Sequence, residues 1–229
     1  MALAHSPKIV TDGLVLCLDA ADPKSYPGSG TAWTDRSGNG SNGTLTNGPT
    51  FDSTNGGSID FDGTNDYIAI SHDSSQSFSG DFSIEAVIKS EGSNANCIIQ
   101  KGSGNDYFQE YWLLQDMRGN NNQFIFIMAQ SGNSNATYLN TSSILSLNTY
   151  YHVVVTVSGS TSKIFVDGEQ KATGSISSRS QSTADLRIGW RVDGFAATNG
   201  KIPITKLYNK ALTAAEVLQN YNATKGRFS

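Results

Sequence analysis

The sequence predicts an all-β fold: an antiparallel two-sheet sandwich with one short C-terminal helix. Three observations carry this. Apolar and polar side chains alternate with a period of two along most of the chain, clusters rich in Gly, Asn and Ser punctuate the runs, and a single helical pattern stands near the end. At 229 residues, 37% of them hydrophobic, the chain has a length that β-sandwiches reach as one domain. Charged residues make up only 16%, below the roughly one quarter of an average protein. Neutral polar side chains must therefore cover the surface, as suits a fold with many turns.

The strands follow in order. "GLVLCLD" alternates Cys17 with leucines, which makes Cys17 a small core residue. "GSIDF" and "DYIAIS" flank a corner, "FDGTNDYI", where Asp62, Asn65 and Asp66 crowd together. In "DFSIEAVIKS", Phe82, Ile84, Ala86 and Ile88 share one face, while Ser83, Glu85 and Lys89 look outward. "NCIIQK" and "YWLLQD" follow. "QFIFIMAQ" is apolar on both faces and reads as buried on both sides. In "YYHVVVTVSG", Tyr151, Val153, Val155 and Val157 form one face and His152 falls on the other. "SKIFVDGEQKATG" holds two strands joined by Asp167-Gly168, a strong two-residue hairpin signal. "DLRIGW" and "ITKLYN" complete the set. In "LTAAEVLQNYNATKG", Thr213 and Glu216 have capping-box spacing, Leu212 and Val217 form a hydrophobic staple, and Lys225-Gly226 reads as the stop. No composition break divides the chain, so the expected organisation is an N-terminal arm, residues 1–10, and one domain, residues 11–229.

Several function classes are disfavoured. The formal net charge is −4 and no Lys/Arg run occurs, which argues against nucleic-acid binding. No stretch approaches the roughly 20 apolar residues of a membrane helix. The opening "MALAHSPKIVTDG" lacks a basic region followed by an apolar run, so no secretory signal is expected. With two cysteines, Cys17 and Cys97, no disulfide framework is expected, although spacing alone leaves a single bridge open. No P-loop, dinucleotide fingerprint or nucleophile elbow is present.

Four segments in order resemble laminin-G-like, concanavalin A-like jelly-roll domains. They are the "WTDRSGNG" run from Trp33 with the "GP" at Pro49, the "FDGTNDYI" strand pair, the hairpin "YHVVVTVSGSTSKIFVDGE", and the closing "GKIPITKLYNKALTAAEVLQNYNATKGRF". The ending "EVLQNYNATKGRF" is similar to proteins of tailed bacteriophages. That resemblance implies a non-enzymatic virion surface protein, a capsid decoration, head fibre or tail-fibre component. It would be made in the host cytoplasm and displayed on the virion surface, as a homo-oligomer among other capsid or tail proteins. The alternative is a carbohydrate-binding module or adhesin for host surface polysaccharide, with calcium left open.

The candidate sites divide by chemistry. Hydrolase relatives carry Glu-x-Asp-x-x-Glu on one strand; none of the five glutamates here begins that pattern, so no catalytic residue is assigned and no cofactor is expected. For calcium, the resemblance points to Asn65 and Asp66. An acidic residue expected after "GKI" is absent, because Pro203 and Ile204 stand there, and the competing reading is a polar turn. For sugar contact, the aromatic candidates are Tyr111, Trp112 and Trp190, with Tyr107, Asp106, Glu110 and Asp116 nearby. Exposed aromatics would equally suit a protein interface. Trp33 reads as a structural plug.

Overall fold

In the computed structural model, the residues described are 8–102, 109–129, 136–176 and 181–228. Sixteen strands occur among them. The first eight are β1 (Leu14–Asp19), β2 (Ala32–Trp33), β3 (Gly43–Thr46), β4 (Thr50–Asp52), β5 (Ser58–Asp62), β6 (Tyr67–Ile70), β7 (Phe82–Ser90) and β8 (Ala95–Gly102). The others are β9 (Gln109–Asp116), β10 (Gln123–Met128), β11 (Thr137–Asn140), β12 (Tyr150–Ser158), β13 (Thr161–Val166), β14 (Glu169–Ser175), β15 (Leu186–Gly189) and β16 (Asn199–Tyr208). One α-helix, α1 (Ala214–Thr224), follows.

The strands form two antiparallel sheets. The first runs β14-β13-β12-β7-β16-β5-β4, and β1 pairs with the far half of β16; the second runs β11-β10-β9-β8-β15-β6-β3-β2. Their inner faces make one core. Phe82, Ile84, Ala86 and Ile88 of β7 lie there with Val153, Val155 and Val157 of β12, opposite Tyr111, Leu113, Phe124, Phe126 and Ile188. Both faces of β10 are apolar because both are covered: Phe124 and Phe126 enter the main core, while Ile127 joins a small cluster behind the second sheet. Trp33 is fully buried, as a plug should be.

Local signals produce the expected local structures. Asp167 (φ 52°) and Gly168 (φ 82°) are both left-handed, which the tight β13–β14 hairpin requires and which Asp and Gly tolerate. Thr213 caps α1: its Oγ1 accepts from Glu216 N at 3.3 Å, and Glu216 Oε2 accepts from Thr213 N at 2.8 Å.

Ser83 and Glu85 do lie on the outward face of β7, but that face does not meet solvent there. The helix α1 lies across it, with Val10, Val154, Phe165, Tyr208, Leu212 and Val217 forming a second, smaller core. Beneath it, Glu85 (0% exposed) is held by Lys206 Nζ at 2.7 Å, His152 Nε2 at 3.1 Å and Asn220 Nδ2 at 2.6 Å. Burial opposes the Glu85 charge, but Lys206 and then His152 outweigh it and hold the carboxyl well below the usual range. The expected N-terminal arm is pinned here at its end: Val10 N donates to Asn220 Oδ1 at 2.7 Å, and Gln219 Nε2 donates to Lys8 O at 2.7 Å. Residues 1–7 of that arm, with His5, lie outside the described residues.

Candidate functional site

A short hairpin, residues 190–197, folds over the outer face of the second sheet. It starts at Gly189 (φ 95°), where a Cβ would lie 2.3 Å from the Phe61 ring, so only glycine fits. Trp190 bridges Ala197, and Arg191 N donates to Ala196 O at 2.8 Å. Asp193 ties the tip by accepting from Phe195 N at 3.1 Å and from Arg191 Nη2 at 2.5 Å. The hairpin buries Ala196 against Trp112, Cys97, Leu114 and Ile127.

At its tip Phe195 is 53% exposed. Two guanidinium groups flank the ring, Arg191 at 4.9 Å and Arg118 at 5.0 Å from its centroid. Arg191 is itself buried and lies 4.4 Å from the Trp112 ring centroid. Arg118 is fixed by Asp116 through Nε at 2.8 Å and Nη2 at 3.1 Å. Beside Phe195 opens a cleft of about 430 Å³ lined by Thr64, Ser93, Asn94, Arg118 and Gly194. One exposed aromatic ring next to hydroxyl, amide and guanidinium groups can stack on the C–H face of a sugar and bond its hydroxyls.

The 62–66 corner supplies one wall of this cleft. Gly63 (φ 81°) turns tightly against Asn199, and Asp62 Oδ1 accepts from Thr64 N at 2.8 Å, which sets Thr64 on the rim. Asp66 Oδ2 accepts from Asp62 N at 3.1 Å. Asn65 is exposed whereas Asp66 is buried, and burial raises the Asp66 pKa. Asp66 thus bonds within the turn, and Asn65 stands exposed beside it. Among the described residues, no three His, Cys, Asp or Glu side chains gather within reach of one ion. Pro203 and Ile204, which stand where relatives carry an acid, are buried. Nearby, an internal cation holds the acids of the first sheet: Lys201 Nζ reaches Asp60 at 2.5 Å and Asp52 at 2.9 Å. The bond from Lys201 brings Asp52 down to about 2.

Of the aromatic candidates among the described residues, Trp190 alone keeps access to solvent. It is half-buried, 5.5 Å from the Tyr67 ring, with the Arg187 guanidinium 4.7 Å from Tyr67 and 5.4 Å from Trp190. Tyr111 and Trp112, expected as sugar contacts, are both buried, which leaves neither ring a surface to offer. They point to opposite faces of β9, and both faces are covered. Tyr111 enters the main core and donates to Gln76 O at 3.0 Å; Trp112 lies under the 190–197 hairpin. Tyr107 and Asp106 lie outside the described residues. Cys17 and Cys97 are separate, buried thiols. Glu110 is buried and accepts from Phe78 N at 2.6 Å, Ser77 Oγ at 2.7 Å and Ser182 N at 2.9 Å. Phe195, Arg118 and Arg191 carry the site and were not singled out by sequence reasoning. The one available signal was a bulky aromatic inside the small-residue loop "DGFAATNG".

The family profile described as the concanavalin A-like lectin/glucanases superfamily matches residues 62–218. The chain belongs to that superfamily. No curated protein matches it in sequence. Among solved structures, the binding domain of Paraclostridial Mosquitocidal Protein 1 aligns with a TM-score of 0.74 at 18% identity, over 93% of this chain and 52% of that one. The ligand-binding domain of botulinum neurotoxin serotype D, in complex with N-acetylneuraminic acid, aligns with a TM-score of 0.70 at 16% identity, over 93% and 51%. A structure of botulinum neurotoxin type C, described as interacting with two ganglioside molecules, aligns with a TM-score of 0.70 at 14% identity, over 94% and 52%. At these identities the likeness is one of fold, and the chain spans about half the length of each structure.

Proposed function

We propose that this concanavalin A-like sandwich is a non-catalytic carbohydrate-binding module whose contact surface is the cleft beside Phe195. The observation that carries the reading is the Phe195 ring, exposed yet held between Arg118 and Arg191, at the edge of a polar cleft. A rigid exposed ring costs little entropy to engage, and the neighbouring polar groups supply orientation. Asp116 occupies Nε and Nη2 of Arg118, leaving Nη1 outside that pair for a sugar hydroxyl or carboxylate. The sialyl and ganglioside ligands of similarly folded toxin domains support testing acidic glycans first. The non-catalytic part of the reading is supported by Glu110 and Glu85, whose oxygens are taken up by structural bonds.

The test is a glycan array followed by calorimetry on the strongest ligand. Phe195→Ala should weaken binding by about fivefold or more. Retention of full affinity by Phe195→Ala, or reducing-sugar release from the bound glycan, would overturn the proposal. Display on a phage virion, with homo-oligomeric virion partners, rests on the resemblance of the "EVLQNYNATKGRF" segment alone and stands behind the glycan reading.

A further inference from the structure

Across the outer face of the second sheet, a row of cross-strand partners runs Gln100, Arg187, Ala69, Thr44. The 190–197 hairpin roofs the Gln100 end, where Gln100 Oε1 accepts from Val192 N at 3.0 Å. Beyond Arg187 the row opens, and Thr44 at its end is exposed. Arg187 stands half-buried at the boundary, its guanidinium 4.7 Å from the Tyr67 ring centroid and 5.4 Å from that of Trp190. Aromatic rings engage a guanidinium through its face and leave the N–H groups of its edge free. Arg36, Arg118, Arg191 and Arg227 each hold an aspartate. Alone among the described arginines, Arg187 has no ion pair and donates no hydrogen bond. Its Nη1 is buried, whereas Nε and Nη2 keep access to solvent. Those two nitrogens form the same edge that Arg118 turns to Asp116, through Nε at 2.8 Å and Nη2 at 3.1 Å.

We infer that the open edge of Arg187 takes the carboxylate of an acidic sugar, a substrate class that rests on the glycan-binding function proposed above. Charge selects it first: Arg118 and Arg191 already carry acids, and Arg187 is the cation of this face left without one. Shape selects it next, because two parallel N–H groups match the two oxygens of a planar carboxylate. The rings of Tyr67 and Trp190 hold the guanidinium without consuming those donors, so little order is lost on binding. The surroundings suit a sugar ring: Ala69 is small, Thr44 brings a hydroxyl, and Trp190 stands beside them half-buried. This ledge adjoins the Phe195 cleft. Gly194 lines that cleft, and a Cβ added to Gly194 would lie 4.0 Å from the Trp190 ring. A glycan of two or more residues can therefore set one sugar by Phe195 and its acidic neighbour on Arg187.

The probe is methyl β-D-glucuronide, with methyl β-D-glucoside as the control that carries a hydroxymethyl group in place of the carboxylate. Each is titrated into the full chain and followed by the side-chain ¹H–¹⁵N resonances of Arg187 Nε and Trp190 Nε1. The glucuronide should shift both resonances and bind at least about fivefold tighter than the glucoside. Arg187→Gln should abolish that preference, and Arg187→Lys, which keeps the charge but not the fork, should restore only part of it. A second variant leaves Arg187 in place. Ala69→Glu sets a carboxylate directly opposite it on β6, and should weaken glucuronide binding at least about tenfold while the backbone resonances of the first sheet stay unmoved. Equal affinity for the two probes, an unmoved Arg187 Nε resonance at about 50 mM glucuronide, or full glucuronide affinity in Arg187→Gln or Ala69→Glu would each overturn the inference. The Phe195 variant on the glycan array decides the cleft, and the Arg187 resonance with a single sugar decides this edge, so either can fail without the other.

Discussion

The two outer faces of the sandwich are covered in opposite ways. Over the first sheet, α1 seals a charged network in which Lys206, His152 and Asn220 hold the Glu85 carboxylate. Over the second, a short hairpin seals an aromatic–guanidinium stack, Trp112 under Arg191 under Phe195, and leaves the last ring in the open. A buried ion pair tolerates the loss of neither partner, whereas a stack that ends at the surface can lose its outer member without stranding a charge in the interior, because Arg191 stays paired with Asp193. One cover therefore closes over its charges, and the other leaves an aromatic ring in solvent.

The largest expected effect breaks the first cover. Glu85→Ala strands Lys206 in the interior and should cost about 3–5 kcal/mol in chemical denaturation. Replacing both partners together, Glu85→Leu with Lys206→Met, should recover part of that loss, because no uncompensated charge remains while His152 Nε2 and Asn220 Nδ2 still lose their acceptor. Acid should act in the same direction. The Glu85 pKa is depressed below its ordinary value of 4.5, so its contribution is present above that pH and lost as pH falls further. Denaturation midpoints recorded across that range should fall more steeply for the wild type than for the double variant. A smaller effect follows from uncapping the cover: Thr213→Ala removes the cap of α1 and should cost about 1 kcal/mol. Smallest of all is the second cover's outer ring. Phe195→Ala should change stability by no more than about 0.5 kcal/mol, even where glycan binding is lost. A large loss of stability there would erase the contrast between the two faces.

What the sequence makes legible depends on how far apart the cooperating residues stand. Asp167-Gly168 and the Thr213–Glu216 box form from neighbours in the chain, and both read correctly. Alternation along β7 and β12 assigns each side chain to a face, and the two-sheet core follows. Alternation does not say what lies beyond a face. Glu85 reads as solvated because its cover comes from Asn220, 135 positions away. The burial of Trp112 as well as Tyr111 is not legible locally, because the 190–197 hairpin that closes the outer side has no counterpart in the local pattern. Phe195 escaped notice since a lone aromatic in a loop carries no periodicity. Its importance appears only once Arg118 and Arg191 are brought to it.

The two thiols have a practical consequence. Burial pushes Cys17 up to about 11 and Cys97 up to about 12. Both are withheld from the thiolate form that electrophiles attack. A cysteine introduced on the exposed rim would therefore be the one position to take a maleimide dye, giving a singly labelled reporter without first removing either native residue.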